Sequence, residues 1–200
     1  MHQIETGLYE RQGRAPSNLA RTIPHADSEL AEQLFKDPYH LEFLDVGGHA
    51  KERSLERALI DKLKDFMLEL GKGFAFVGSQ VHLQVGERDF FVDLLFYHLQ
   101  LRCYVAIELK TTSFKPDYIG KLGFYLEVID DQLRHPDDKS SIGLILCKDH
   151  EHVVAEYALR TSNRPMGISR YELPRELREA LPNVEELEAE LRQLDRCGNE

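Results

Sequence analysis

Two acidic positions interrupt apolar runs in this 200-residue chain, and they stand close together in sequence. Asp93 sits in the middle of FFVDLLF, and Glu108 and Lys110 follow directly on Val105-Ala106-Ile107. An unpaired carboxylate within such a run is costly, so each acid needs a physical reason. Glu108 and Lys110 are two residues apart and share a face if their segment is a strand. A hairpin of the two runs with an odd residue-number sum turns Asp93 to that face as well. One such register pairs Tyr97 with Arg102 and Asp93 with Ala106, leaving Glu108 as a diagonal neighbour. Two carboxylates at that spacing repel unless a cation lies between them, and Lys110 alone cannot neutralise both. A third acid, Glu56, lies on the line Glu56, Ile60, Leu63, Met67, with Glu52 one turn further back. Three oxygen donors and a lysine suit a hard ion such as Mg²⁺ or Mn²⁺, which takes a few carboxylates, waters and substrate phosphate. Such an ion acidifies bound water and neutralises phosphoryl charge, and a lysine beside it can orient the nucleophile. The chemistry indicated is phosphodiester hydrolysis. The competing explanation is a buried Asp93–Lys110 ion pair with a purely structural purpose.

These residues must be carried by regular elements. Leu55, Leu59, Leu63, Phe66 and Leu70 repeat at helical spacing, with Ser54 as the predicted N-cap and Gly71 just past the end. Val81, Leu83 and Val85 alternate with Gln80, His82 and Gln84, a half-buried strand. Gly86 to Asp89 turns the chain into FFVDLLFYH, which reads as a strand covered on both faces. His98 to Leu101 leads into RCYVAIELK, so three strands form a meander. Pro116 suits a first helical turn, and Tyr118, Leu122, Tyr125, Leu126, Ile129 and Leu133 mark the buried stripe of that helix up to His135-Pro136. SIGLILC is a buried strand, Val153 to Leu159 a helix and Met166 to Leu173 another strand. Residues 1–45 read as an arm with a short helix from Ser28 to Phe35, and Val46-Gly47-Gly48 as a joint. Residues 46–174 read as the domain, and 175–200 as an acidic helical tail whose stripe of Val184, Leu187, Leu191 and Leu194 suits dimerisation or packing on its own domain.

Weaker candidates surround the main cluster. Lys121 and Tyr125 are four apart on the helix after the Glu-x-Lys strand, although Tyr125 also fits core packing. Gln80 and His82 read as a solvated strand face or as the border of a groove. His150 and His152 have no evident third ligand, which argues against zinc. Gly71-Lys72-Gly73 lacks the spacing of a phosphate loop. His135-Pro136-Asp137 resembles the tripeptide of a chaperone J domain, but an acidic stretch precedes it, and it reads as a helix stop.

Composition narrows the functional class. The formal charge is −10, and residues 172–200 hold nine acids against four bases, so half of the excess lies there. That lowers the expectation of a nucleic-acid partner, although a carboxylate metal site reads as acidic until its ion is counted. No apolar run approaches the ~18 residues of a membrane helix, and the first residues lack the pattern of a signal peptide. Cys103, Cys147 and Cys197 are odd in number and widely spaced, which predicts a reducing, cytoplasmic setting without a disulfide framework.

The helix acid, the strand Asp and the Glu-x-Lys strand together resemble the PD-(D/E)XK nuclease superfamily. More narrowly, LERALIDKL, ELGKGFAFVG, FFVDLLFYH, LRCYVAIELK, GKLGFYL, DDQLRHPDD, SIGLILCK and EYALR resemble the nuclease domain of the YhcG-type family over roughly residues 35–185. The resemblance implies an α/β fold with a restriction-endonuclease-like αβββαβ core, its mixed central sheet flanked by helices. It implies Glu56 as the helix acid, Asp93, Glu108 and the main-chain carbonyl of Leu109 as metal ligands, and Lys110 as the catalytic lysine. The resemblance makes Lys121 and Tyr125 candidate substrate contacts, and Gln80 is a further candidate from its place on the strand. The expected activity is Mg²⁺- or Mn²⁺-dependent cleavage of DNA, with a homodimer and a separate targeting partner in place of the family's N-terminal domain as further expectations. The alternative is a catalytically silent docking module on the same fold.

Overall fold

Periodicity converts into elements largely as the sequence predicts. The structure, a computed structural model, describes residues 15–41, 44 and 52–173. In chain order the elements are α1 (Leu19–Thr22), α2 (His25–Glu32), β1 (Tyr39–His40), α3 (Glu52–Asp61), α4 (Leu63–Leu70), β2 (Phe74–Val85), β3 (Arg88–His98), β4 (Cys103–Leu109), α5 (Asp117–Gln132), β5 (Ile142–Cys147), α6 (His152–Arg160) and β6 (Met166–Glu172). The predicted joint at Val46-Gly47-Gly48 and the predicted acidic helix after Pro174 lie outside the described residues. No described helix is long and apolar enough to cross a membrane.

One six-stranded sheet, ordered β1-β6-β5-β4-β3-β2, organises the chain. β2, β3 and β4 form the antiparallel meander, while β4, β5, β6 and β1 run parallel to one another. The sheet is therefore mixed. The parallel strands require crossovers, which α5 and α6 supply. A two-residue turn at Gly86-Glu87 joins β2 to β3; Gly86 has φ +61°, a conformation that glycine adopts without a Cβ penalty.

Apolar side chains collect on both sides of the sheet. One cluster packs Leu55, Leu59, Phe66 and Leu70 against Phe96, Val105, Ile107 and Leu144. The other packs Leu122, Leu126, Ile129, Ala155 and Leu159 against Leu95, Ala106, Ile145 and Ile168. We refer to these as the α3 side and the α5 side.

Several details differ from the expectations. The long helix from Ser54 is two helices, broken at Lys62, where φ −109° and ψ 29° leave the helical region. Ser54 lies inside α3 rather than capping it, because the helix already includes Glu52. FFVDLLFYH is not covered throughout: Leu94, Leu95 and Phe96 are fully buried, but Phe91 is 47% exposed. The physical reason is that β3 outruns β4, so its first residues have no neighbour but β2. Residues 15–41 do not behave as an isolated arm, since Leu19, Ala31, Phe35 and Tyr39 are buried in the α3-side cluster and β1 pairs with β6. The predicted helix from Ser28 to Phe35 is α2, displaced to His25–Glu32.

Candidate active site

The register of the meander determines which acids meet. β3 and β4 pair as Leu94↔Ile107, Leu95↔Ala106 and Phe96↔Val105, two residues away from the illustrative pairing of Asp93 with Ala106. Continued by one residue, this register sets Asp93 opposite Glu108 rather than diagonal to it. The ladder stops there. The amide of Leu109 donates instead to Asp93 Oδ2 at 2.9 Å, so the carboxylate takes up a main-chain donor that the neighbouring strand no longer satisfies.

At this point the sheet forks. β4 stays with β5 through Leu109↔Leu146, while β3 continues with β2 alone from Val81↔Val92 to Val85↔Arg88. Alternation slips at the fork: Val92 joins the α5-side cluster, and Leu94, two residues on, joins the α3-side cluster. Opposite Asp93, between the pairs Ser79↔Leu94 and Val81↔Val92, stands Gln80 with φ +46°. A non-glycine residue in that region is strained. Its conformation has a visible consequence, because the Gln80 amide donates to Glu56 Oε2 at 2.8 Å and to Asp93 Oδ1 at 3.3 Å. One side chain thus joins the helix acid to the strand acid.

Glu108 lies on the α5 side, with its side chain only 2% exposed. Its Oε2 accepts from Lys121 Nζ at 2.9 Å and faces Lys110 Nζ at 3.4 Å, whereas its Oε1 is buried without a partner. Lys110 also faces Glu52 Oε2 at 3.6 Å and sits 5.4 Å above the Tyr118 ring. Lys121 lies 5.2 Å above the ring of Tyr125, and that residue is itself buried on the stripe of α5. The two readings of Tyr125 are therefore compatible: it packs in the core and supports Lys121.

Burial pushes the Glu108 carboxyl above the usual range, Asp93 adds to this, and Lys121 and Lys110 oppose it. Burial likewise raises Glu56; the Gln80 hydrogen bond opposes the rise, Asp93 adds to it, and Arg53 and Arg57 also oppose it. For Lys121, burial favours the neutral form but is outweighed by the hydrogen bond and charge of Glu108, so its ammonium is held above the ordinary range.

The structure brings together Glu56, Gln80, Asp93, Glu108, Lys110, Lys121 and Tyr125. It adds Glu52 and Tyr118 as neighbours of Lys110, and Arg53 and Arg57 beside Glu56. The signal for Glu52, Arg53 and Arg57 was the run Glu52-Arg53-Ser54-Leu55-Glu56-Arg57, where charges flank an amphipathic stripe, whereas Tyr118 read only as part of the buried stripe of α5. His150 and His152 stand with ring centroids 6.5 Å apart, and among the described residues no group of three or more His, Cys, Asp and Glu could hold a metal ion. His150 instead faces Asp37, Nε2 to Oδ2, at 3.0 Å. Cys103 and Cys147 are free and buried, and burial pushes both thiols up to about 12.

A family model described as the YhcG PDDEXK nuclease domain matches residues 32–191. The Escherichia coli (strain K12) protein named "Putative nuclease YhcG" is 38% identical over 192 residues, which are 94% of this chain and 50% of that protein. The chain thus spans about half the length of the curated relative it matches. Among solved structures, a repair endonuclease from Pyrococcus abyssi aligns over 62% of this chain and 49% of its own, with 14% identity and a TM-score of 0.43. The EndoMS–dsDNA2 complex aligns over 66% of this chain and 47% of its own, with 16% identity and a TM-score of 0.42.

Proposed function

The chain belongs to the YhcG PDDEXK nuclease domain family, and from that premise we propose that it hydrolyses phosphodiester bonds in DNA with the help of Mg²⁺ or Mn²⁺. The observation that carries this reading is the pair Asp93 and Glu108 at the sheet fork, with Lys110 Nζ 3.4 Å from a Glu108 carboxylate whose other oxygen is buried and unpartnered.

The donor set fits a small hard cation. Mg²⁺ needs only one or two protein carboxylates and completes its shell with water and phosphate, so the lack of a third close acid among the described residues is no obstacle. Asp93, Glu108 and the main-chain carbonyl of Leu109 would hold it, and the orphaned Oε1 of Glu108 is an acceptor in need of a partner. When bound, the ion supplies charge neutralisation at the phosphoryl oxygens and a more acidic water.

The side chains around that place have separable tasks. Lys110, seated between Glu108, Glu52 and the face of Tyr118, presents a fixed positive charge to the attacking water or to the developing charge on phosphorus oxygens. Lys121 offsets the charge of Glu108 from the α5 side. Gln80 fixes Glu56 and Asp93 relative to one another, and Glu56, raised by burial, is suited to accept or return a proton.

Incubation with supercoiled plasmid tests this directly. Nicking in Mg²⁺ or Mn²⁺, absent with EDTA and absent in Asp93→Asn, is the expected result. No cleavage by folded wild-type protein would favour the docking module that the net charge of −10 suggests. That module also predicts no metal-dependent rise in melting temperature, which binding to the folded state must produce.

A further inference from the structure

The arm beyond the fork, where β2 and β3 pair only with each other, carries two aromatic rings to which the chemistry above gives no task. One face of this arm is covered. Val81, Leu83, Val85, Phe90 and Val92 pack on the α5 side, and Phe90 meets Phe124 with ring centroids 4.8 Å apart. The intervening residues point the other way. There, His82 and Phe91 are direct cross-strand partners, and their rings stack with centroids 5.2 Å apart and planes at 30°. His82 is anchored by a 2.7 Å hydrogen bond between Nε2 and Asp89 Oδ1. His82 leans on one side of Phe91, yet 47% of Phe91 remains exposed.

The position of this pair ties it to the site. Phe91 is two residues from Asp93 and His82 two from Gln80, about 7 Å along each strand. Both rings lie on the side away from the α5-side cluster, the side from which Gln80 reaches Glu56 of α3. A large ring held open to solvent next to a phosphate-directed site has one obvious chemical use, since every nucleobase offers a π face to an aromatic side chain.

We propose that Phe91 and His82 form a stacking platform for an unpaired nucleobase of the strand whose phosphate enters the site. This rests on the nuclease reading and deepens it, because it selects among substrates. Bases inside a continuous duplex are already stacked on both faces, whereas a single-stranded stretch or end offers a free one. The ligand class is thus a strand with an unstacked base beside the scissile phosphate.

The test uses the whole 200-residue chain and oligonucleotides carrying 2-aminopurine, either single-stranded or fully paired, in Mg²⁺. Wild-type protein should quench the probe in the single strand and cleave that strand with a lower KM than the duplex. Phe91→Leu, which keeps an apolar side chain at an exposed position, should raise the single-strand KM about tenfold with little change in kcat. Phe91→Tyr should restore both KM and quenching. Wild-type KM and quenching in Phe91→Leu, or cleavage by wild-type protein without quenching, overturns the platform and leaves the nuclease intact. Failure of wild-type protein to cleave either substrate overturns the nuclease reading and the platform with it.

Discussion

Lys121 Nζ stands 2.9 Å from Glu108 Oε2, closer to that carboxylate than Lys110, two residues further along the chain, at 3.4 Å. The acid of the Glu-x-Lys segment is therefore balanced mainly from another element, the helix that crosses behind the sheet. The arrangement explains how a carboxylate with 2% exposure tolerates burial beside Asp93. It also makes the charge state of the site depend on the seating of α5.

Lys121→Met should accordingly destabilise the protein. Leaving Glu108 short of a partner costs about 1–3 kcal/mol, at the lower end because Lys121 is 45% exposed and screened by water. Urea unfolding at neutral pH measures the loss, and Mg²⁺ should raise the midpoint of the variant more than that of wild type. An unchanged midpoint without metal would mean that the ion pair has no net worth.

Gln80 allows strain and activity to be separated. Gln80→Gly relieves a φ of +46°, worth about 1 kcal/mol, although glycine's own entropy takes back a similar amount. With those two offsetting, the net loss of stability is that of the Gln80 hydrogen bonds, about 1–3 kcal/mol, read by urea unfolding. Plasmid cleavage by the folded protein should fall about 10- to 100-fold, because Glu56 and Asp93 lose the side chain that positions them. Wild-type cleavage by a folded Gln80→Gly protein would remove Gln80 from the machinery.

Acid sensitivity should come partly from Asp37, far along the sheet at β6. Its carboxyl is lowered from the ordinary 3.8: burial alone would raise it, but the His150 hydrogen bond, the Arg170 amide and the charges of both side chains prevail. A lowered folded value means stability that is fully present above 3.8 and lost as pH falls through the folded value. Asp37→Asn should be less stable than wild type at neutral pH, and the difference should shrink steadily below pH ~4. A difference that holds constant down to pH ~2 would argue against this linkage.

Gly143 in β5 fixes the distance between sheet and helix on the α5 side. A Cβ there would lie 2.6 Å from Leu122 Cδ2 and 2.9 Å from its Cγ. Gly143→Ala should cost about 1–3 kcal/mol through overpacking, read as a lower urea midpoint. Because Leu122 adjoins Lys121, cleavage should fall by more than the unfolded fraction accounts for. Cleavage that tracks the folded fraction alone would show that α5 adjusts without moving Lys121.

Much of this protein could be read in its residues. Apolar spacing identified the meander, the helix with Leu122 and Leu126, and the order of later elements, because burial imposes periods of two and 3.6 on the chain. Asp93, Glu108, Lys110 and Glu56 stood out because they break or border those patterns. Lys121 and Gln80 were legible only as weaker candidates, since a lysine on a helix surface and a glutamine on a strand are ordinary in themselves. Only their partners, Glu108 across the sheet and Glu56 with Asp93, give them meaning.

What only the tertiary structure decided is the fork. Strand geometry alone would send residues two apart in FFVDLLF to one side, whereas Val92 and Leu94 go to opposite sides of the sheet. The pairing Leu94↔Ile107, the left-handed Gln80 and the unequal strand lengths decide where β3 leaves β4. These are long-range matters of register, and a single strand's sequence is compatible with several registers. The sequence by itself singled out the acids that break or border its apolar pattern; the register determined that Asp93 and Glu108 meet where the ladder ends. There the main chain no longer satisfies its own donors, and the side chains do so instead.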